Sequence, residues 1–416
     1  MEFFEYLKER GYVYQTTNEV GIKKALNSDK PITFFLGIDP TADSLHIGHF
    51  FALMMFRNLQ RHGHRGILLI GGATALIGDP SGKSDMRKML TKADVARNVT
   101  ELKKLASKFI SLAGENPALI VDNSEWINSY NYLDFMRDVG VHFNVNKMLS
   151  SEAYTKRLES GGLTFLEMGY MLIQAYDFIH LHQEYNCILE IGGSDQWGNI
   201  VAGTELYRKL NFHLEGKTKE ECQEIYGLTC PLLMTKDGKK MGKTESGTLW
   251  VARDKTTAYA FYQYFYNTDD ADTEMLLKLF TDIPSTEIEI LCRQDIIAAK
   301  KRMAYEVTKL VHGEDEAQKA VDAANSLFGG GTNLEHVPSV EFERVRLEQG
   351  VNILDLVVEV GLFASKGEAR RMIEQGGLSI DDNKINAIEE VVTVTDKAKK
   401  NLLLQRGKKT FLNLRL

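Results

Sequence analysis

Two histidines three residues apart, at the mouth of an apolar stretch, are the first residues of this chain whose types and spacing could do chemistry. They lie in GIDPTADSLHIGH (37–49), a turn between a strand-like run and a helix-like run that begins near Ile47. Asp43 and Ser44 have the side chains that cap a helix start. His46 and His49 then fall in the first turn, at the positive end of the helix dipole, where phosphate is favoured. Gly48 places no side chain between them, so a ligand's base or phosphate can approach closely. Judged on capping alone, the segment is equally an ordinary capped helix with two surface histidines.

A second basic segment follows far downstream. LLMTKDGKKMGKTESG (232–247) reads as a strand end and a glycine-rich loop in which Lys239, Lys240, Lys243 and Thr244 cluster. Such a loop can hold a polyphosphate that moves during a reaction. Taken alone it is more often simply solvated. GDPSGKS (78–84) has the look of a phosphate-binding P-loop, but three residues separate Gly78 from Gly82 where that motif needs four. The P-loop reading is rejected. Lys83 and Arg87 remain either pyrophosphate contacts or a solvated basic pair.

GYMLIQAYDFIH (169–180) is an apolar helix interrupted by Tyr170, Gln174 and Asp177. Their spacing of i, i+4 and i+7 puts all three on one face. A buried carboxylate or carboxamide left without a partner costs about 1–3 kcal/mol, so these groups meet either other side chains or a polar ligand.

The elements that must position these residues can be read from periodicity. ITFFLGID (32–39), GILLIGG (66–72), ALIVDN (118–123) and CILEIGG (187–193) read as buried strands. Helical stretches at 47–62, 92–113 and 164–182 alternate with them. This alternation predicts an α/β domain built on a doubly wound parallel sheet, which binds ligands beyond the carboxyl ends of its strands. A mainly α-helical domain is expected over 251–327, a linker over 328–350 and a small α+β unit over 351–416. That last unit holds eleven Lys/Arg against nine Asp/Glu, whereas the whole chain of 416 residues has a net charge of -7. An acidic chain with a basic tail does not coat nucleic acid indiscriminately, but it can present a local basic surface. Cys187, Cys222, Cys230 and Cys292 are scattered. They suggest no disulfide framework or zinc site, and a reducing compartment is expected. No signal peptide or apolar run of membrane-spanning length is seen, so a cytoplasmic protein is expected.

The motifs together carry a resemblance. His46-Ile47-Gly48-His49 (HIGH) and Lys240-Met241-Gly242-Lys243-Thr244 (KMSKS-type) resemble the signature of class I aminoacyl-tRNA synthetases. DPTADSLHIGH, GDPSGK, QAYDF and GGSDQWGN resemble bacterial tyrosyl-tRNA synthetases in particular, over nearly the whole chain. The resemblance implies a Rossmann-like catalytic domain over 1–250 that activates L-tyrosine with ATP and Mg2+ and transfers it to tRNA(Tyr). It implies that Thr41, His46 and His49 hold the phosphates from one side, with Lys83, Arg87, Lys240, Lys243 and Thr244 closing from the other. Gly37, Asp39, Gly48, Gly193 and Asp195 would lie along the nucleotide, Asp195 on the ribose. For the amino acid it implies Tyr170, Gln174 and Asp79 on the α-amino group, Asp177 on the phenolic hydroxyl and Gln196 nearby. Thr74 and Asn123 would stand behind them. No tightly bound metal site is expected.

One residue departs from the pattern. Phe35 stands where the family usually has a tyrosine whose hydroxyl helps hold the substrate phenol. This leaves open a paralogue that charges a modified tyrosine or a phenylalanine-like amino acid. The tail GLFASKGEARRMIEQGGLSID (361–381) and QRGKKTFLNLRL (405–416) resembles the small RNA-binding domain of the small-subunit ribosomal-protein-four type. Lys366, Arg370, Arg371, Arg406, Lys408 and Lys409 would hold RNA phosphates there, with the helical domain serving anticodon recognition. The resemblance and the apolar helix over 132–142 also imply a homodimer. Two other readings compete: a stand-alone nucleotidyltransferase, which needs no RNA-binding tail, and a non-catalytic RNA-binding paralogue, which does not need the phosphate residues.

Overall fold

The computed structural model describes residues 1–81, 89–214, 224–236, 238, 240–244, 247–328, 337–381, 383–407 and 410–416. They form two compact units, Met1–Met241 with Lys278–Phe280, and Gly242–Leu277 with Thr281–Leu416.

The first unit is built on a six-stranded sheet: β1 (Gln15–Thr16), β2 (Thr33–Ile38), β3 (Arg65–Ile70), β4 (Leu119–Asp122), β5 (Cys187–Gly193) and β6 (Tyr226–Cys230). The order is β1-β6-β5-β2-β3-β4, parallel throughout except for the antiparallel edge strand β1. Successive strands leave β2 in opposite directions, through β3 on one side and β5 on the other. The ends of β2 and β5 therefore flank the switch point at which doubly wound sheets bind ligands.

Two helices matter most for the site. Helix Ile47–Arg61 buries Phe50, Phe51, Leu53, Met54, Met55, Phe56 and Leu59. Gly66 on β3 lets it come close, since a Cβ there would lie 2.1 Å from the Phe56 ring. Helix Phe165–Tyr185 starts in a capping box: the Thr164 hydroxyl accepts from the Glu167 N–H, and the Glu167 carboxylate accepts from the Thr164 N–H. Glu167 also forms a buried ion pair with Arg157 at 3.0 Å. The helix ends at Asn186, whose φ of 52° turns the chain directly into β5. The helix expected over 92–113 is shorter, Lys92–Ala106. Beyond it, SLAGENP contains Gly114 at φ 97° and Pro117, which stop helical propagation.

The second unit opens on the hairpin of β7 (Lys243–Thr244) and β8 (Gly247–Thr248). Helices Ala258–Tyr266, Ser285–Gln294, Ile296–His312 and Glu314–Phe328 follow. The chain then forms β9 (Ser339–Glu341), β10 (Val351–Asn352), β11 (Leu378–Ile380), β12 (Asn383–Lys384), β13 (Val391–Val392), β14 (Asn401–Arg406) and β15 (Thr410–Arg415). Five of these make a sheet in the order β12-β11-β14-β15-β9. The linker expected over 328–350 is corrected for residues 337–350, while 329–336 lie outside the described residues. β9 pairs in parallel with β15, helix Arg344–Gln349 follows it, and Phe342 and Leu347 belong to the C-terminal core. Mixed charge on the surface of this segment hid its buried apolar residues.

Candidate active site

The segments after β2, β3 and β5 and the face of helix Phe165–Tyr185 carry the described sequence-predicted residues of the first unit around the sheet end. Asp39 follows β2. Its Oδ2 accepts from the Tyr170 hydroxyl at 2.9 Å and its Oδ1 from the Thr74 hydroxyl at 2.7 Å. Gly71 makes room for this pair, because a Cβ there would stand 2.0 Å from Asp39 Oδ1 and 2.2 Å from Thr74 Oγ1. Asp39 therefore ties the helix face to the segment after β3.

Asp177 lies about two helical turns beyond Tyr170 and is 1% exposed. The Asn123 amide donates to its Oδ2 at 2.9 Å and the Trp126 indole N–H donates to its Oδ1 at 2.8 Å. Asn123 is itself held, its Oδ1 accepting from the Ala73 N–H at 2.8 Å. Burial pushes the Asp177 carboxyl up to about 7, against the two donors that favour the charged form. A carboxylate with two donors keeps acceptor capacity for a third, such as a ligand hydroxyl. Phe35 is buried against Phe178, with ring centroids 5.2 Å apart, and adds no polar atom to this pocket.

About one turn before Asp177, Gln174 donates to Glu190 Oε1 at 3.0 Å. Glu190 sits on β5 directly across from Phe35 on β2. It is buried, and burial pushes its carboxyl up to about 8. Nearer the sheet end, Asp79 accepts from the Gln196 amide at 2.7 Å through Oδ2 and from the Ser81 N–H at 2.9 Å through Oδ1.

The loop after β2 and the helix start that follows it are equally organised. His46 is the N-cap of helix Ile47–Arg61, its Nδ1 accepting from the Gly48 and His49 N–H groups at 3.1 and 3.3 Å. The expectation that Asp43 or Ser44 caps this helix is corrected. Both lie before the cap position, and Ser44 instead donates to the Leu45 carbonyl at 3.3 Å. An accepting Nδ1 places the ring proton on Nε2, so the opposite edge of His46 is a donor. The His46 and His49 rings stack at 3.7 Å. A Cβ on Gly48 would meet His46 Cε1 at 3.0 Å, so glycine leaves the stacked pair its room. Thr41 follows in the same loop, its N–H bonded to the Asp39 carbonyl at 2.8 Å. At Gly37 a Cβ would meet nothing within 4 Å, and the strand end is open. Gly193 clears Asp195, whose Oδ1 would lie 2.7 Å from a Cβ at that position.

These arrangements have counterparts in known proteins. A model of the family described as tRNA synthetases class I (W and Y) matches residues 27–329, and one described as the tyrosine–tRNA ligase SYY-like C-terminal domain matches 331–414. The chain is 50% identical over 411 residues to a tyrosine–tRNA ligase of Clostridium tetani, covering 98% of this chain and 97% of that one. It is 49% identical to that of Acetivibrio thermocellus, with 99% of each chain covered. The chain belongs to the tyrosine–tRNA ligase family of class I synthetases. A C-terminally truncated mitochondrial tyrosyl-tRNA synthetase of Aspergillus nidulans shares the fold at a TM-score of 0.69 and 29% identity, over 79% of this chain and 94% of that one. As expected from the sequence, the chain is an α/β, Rossmann-like ligase.

The remaining family positions are distributed as follows. Lys240 is exposed and bridges to Met234, and the Met241 N–H donates to the Leu233 carbonyl at 2.9 Å. In the second unit, Lys243 and Thr244 form β7, where the Gly242 N–H donates to the Tyr264 hydroxyl at 2.8 Å and folds the loop back. Lys83, Arg87, Lys408 and Lys409 lie outside the described residues, as do the side chains of Lys243 and Thr244. Lys366, Arg370 and Arg371 are exposed on helix Lys366–Glu374, with Lys366 paired to Asp355. Arg406 departs from the expected RNA-facing role. Its guanidinium is buried, pairs with Glu368 at 2.8 Å, donates to the Leu362 carbonyl at 3.1 Å and lies over the Phe363 ring. Those bonds hold the C-terminal core together.

Sequence reasoning missed Trp126 and Glu190. Trp126 sits in the four-residue helix Ser124–Ile127 and reads as an ordinary core aromatic. Glu190 was open to detection as the single charged residue inside the apolar run CILEIGG.

Proposed function

We propose that this chain activates L-tyrosine with ATP and transfers it to the 3′ end of tRNA(Tyr), through the residues brought together at the β2–β5 switch point. The observation that carries the reading is Asp177, a buried carboxyl fixed by Asn123 and Trp126 on the helix that also bears Tyr170 and Gln174. The α-ammonium would be held by Tyr170, Gln174 and Asp79, with Gln196 behind Asp79.

The tyrosine carboxylate is already an anion and needs no base. One of its oxygens attacks the α-phosphorus of ATP, the bond to the bridging oxygen of the β-phosphate breaks, and pyrophosphate leaves with Mg2+. Catalysis rests on positioning and on donors aimed at developing phosphate charge. His46, His49 and Thr41 supply such donors, and Asp39, Gly37, Gly48, Gly193 and Asp195 line the nucleotide. Lys83, Arg87, Lys240, Lys243 and Thr244 complete the phosphate contacts. In the second step a hydroxyl of the terminal tRNA ribose attacks the acyl carbon, and AMP departs.

Lys366, Arg370 and Arg371, together with Lys408 and Lys409 as read from the sequence, would hold RNA backbone phosphates. Arg406 is left out because its charge is already neutralised by Glu368. The working unit is a homodimer. Tyr132, Leu133, Val141, Val145 and Phe165 are large apolar residues exposed by 50–69% in the first unit, a surface that a second copy would cover. Among the described residues no helix is long and apolar enough to cross a membrane. ATP and tRNA as substrates support a cytoplasmic place of work.

The test is charging itself. With ATP and Mg2+, the chain is expected to load labelled tyrosine onto bulk tRNA as acid-precipitable counts. Loss of the counts on adding an excess of unlabelled phenylalanine would contradict the tyrosine assignment.

A further inference from the structure

Glu190 carries a task that its burial alone does not explain. It is 2% exposed, on the strand that borders the switch point, and its Oε1 accepts from Gln174 Nε2 at 3.0 Å. Glu190 Oε2 and Gln174 Oε1 are both buried, and neither has a hydrogen-bond partner among the described residues. A buried, unpaired acceptor costs about 1–3 kcal/mol, so each of these two oxygens is a position prepared for a donor. The surrounding elements supply none. β2 presents the ring of Phe35, and helix Trp197–Leu214 presents Gly203, where a Cβ would lie 3.6 Å from Glu190 Oε2. Helix Phe165–Tyr185 presents Phe178 and Asp177, and Asp177 already accepts from Asn123 and Trp126.

The chemistry of the pair fixes an orientation. Glu190 Oε1 accepts here, and once ionised the carboxylate can only accept, so it draws the NH2 end of the Gln174 amide to itself and turns the amide oxygen the other way. A cation near that oxygen favours the ionised form of Glu190 and strengthens the hold. A glutamine at 190 could give or take and would leave the amide free to flip.

We infer that Glu190 is a positioning residue for amino-acid recognition: it locks Gln174 with its amide oxygen presented to the substrate's α-ammonium group. The inference rests on the reading of Gln174 as an α-amino contact, and it assigns the specificity for an amino acid over its desamino analogue to a residue one step behind the ligand.

The test measures equilibrium dissociation constants for L-tyrosine and for 3-(4-hydroxyphenyl)propanoate, which lacks the amino group, on the full-length chain. Glu190→Ala should weaken tyrosine about tenfold, and Glu190→Gln, which keeps the shape and folds if the alanine variant does not, about threefold. The desamino analogue should change by less than about twofold in either. On a Gln174→Ala background, Glu190→Gln should have no further effect, because the two residues act as one. Equal weakening of both ligands, or an undiminished effect without Gln174, would overturn the inference and leave the tyrosine reading standing. Failure of the wild-type chain to bind tyrosine would overturn that reading, and the inference with it.

Discussion

At the scale of single residues, the pocket sets burial against hydrogen bonding on one carboxyl. Burial raises Asp177 to about 7, while the Trp126 and Asn123 donors hold its charged form. Trp126→Phe removes one of those donors, so the carboxyl should titrate at higher pH. The charged form is the better acceptor for a phenolic hydroxyl. KM for tyrosine should therefore fall as pH rises through the carboxyl's range, and that fall should shift to higher pH in the variant. Measuring KM in amino-acid activation from pH 6 to pH 8.5 checks it; superimposable profiles would remove Asp177 from the phenol site. Phe35 belongs to the same balance. A pocket that hydrogen-bonds a substrate hydroxyl rejects the analogue without it, and tyrosyl-tRNA synthetase is itself the standard example of that rule. One neutral hydrogen bond contributes about 0.5–1.5 kcal/mol. Phe35→Tyr should raise the tyrosine-to-phenylalanine ratio of kcat/KM by roughly three- to tenfold.

At the scale of elements, helix Phe165–Tyr185 carries Tyr170, Gln174 and Asp177, and its first turn is anchored by the buried pair of Arg157 and Glu167. Removing one partner of a buried pair strands the other charge. Arg157→Ala should cost about 3–5 kcal/mol, read as a lower urea midpoint for the transition reported by tryptophan fluorescence. The double replacement by leucines should cost less than Arg157→Ala alone. The main strands were legible because parallel strands covered on both faces read as unbroken apolar runs, as ITFFLGID and CILEIGG do. The edge strand β1 was not, because two residues carry no period. Likewise, capping rules favour Asp43 and Ser44, and they gave no reason to expect the His46 ring as the acceptor. Arg406 was misread although its context was informative. Along β14 the buried positions are Leu402, Leu404 and Arg406, and a period of two turns the arginine inward with the leucines.

At the scale of the whole molecule, the two reaction steps draw on different parts of the chain. The residues proposed for phosphate and tyrosine all precede residue 250, whereas those proposed for RNA lie beyond 337. The C-terminal core includes Phe342 and Leu347, so a clean removal must begin at 337. A chain ending at residue 336 should keep adenylate formation and lose most of its tRNA charging, measured side by side on one preparation. Full charging by the shortened chain would remove the C-terminal basic surface from the account. Family membership, sheet and signature motifs were all legible because they depend on spacing within short segments. The pairing of Glu190 with Gln174 was not, because it joins a strand to a helix across the fold. The claim on which the rest depends is that this site activates tyrosine. Its direct measurement is amino-acid-dependent exchange of labelled pyrophosphate into ATP, with each of the common amino acids supplied in turn. Tyrosine should support exchange strongly, phenylalanine weakly, and the others not at all. No exchange with tyrosine, or stronger exchange with another amino acid, would contradict the account.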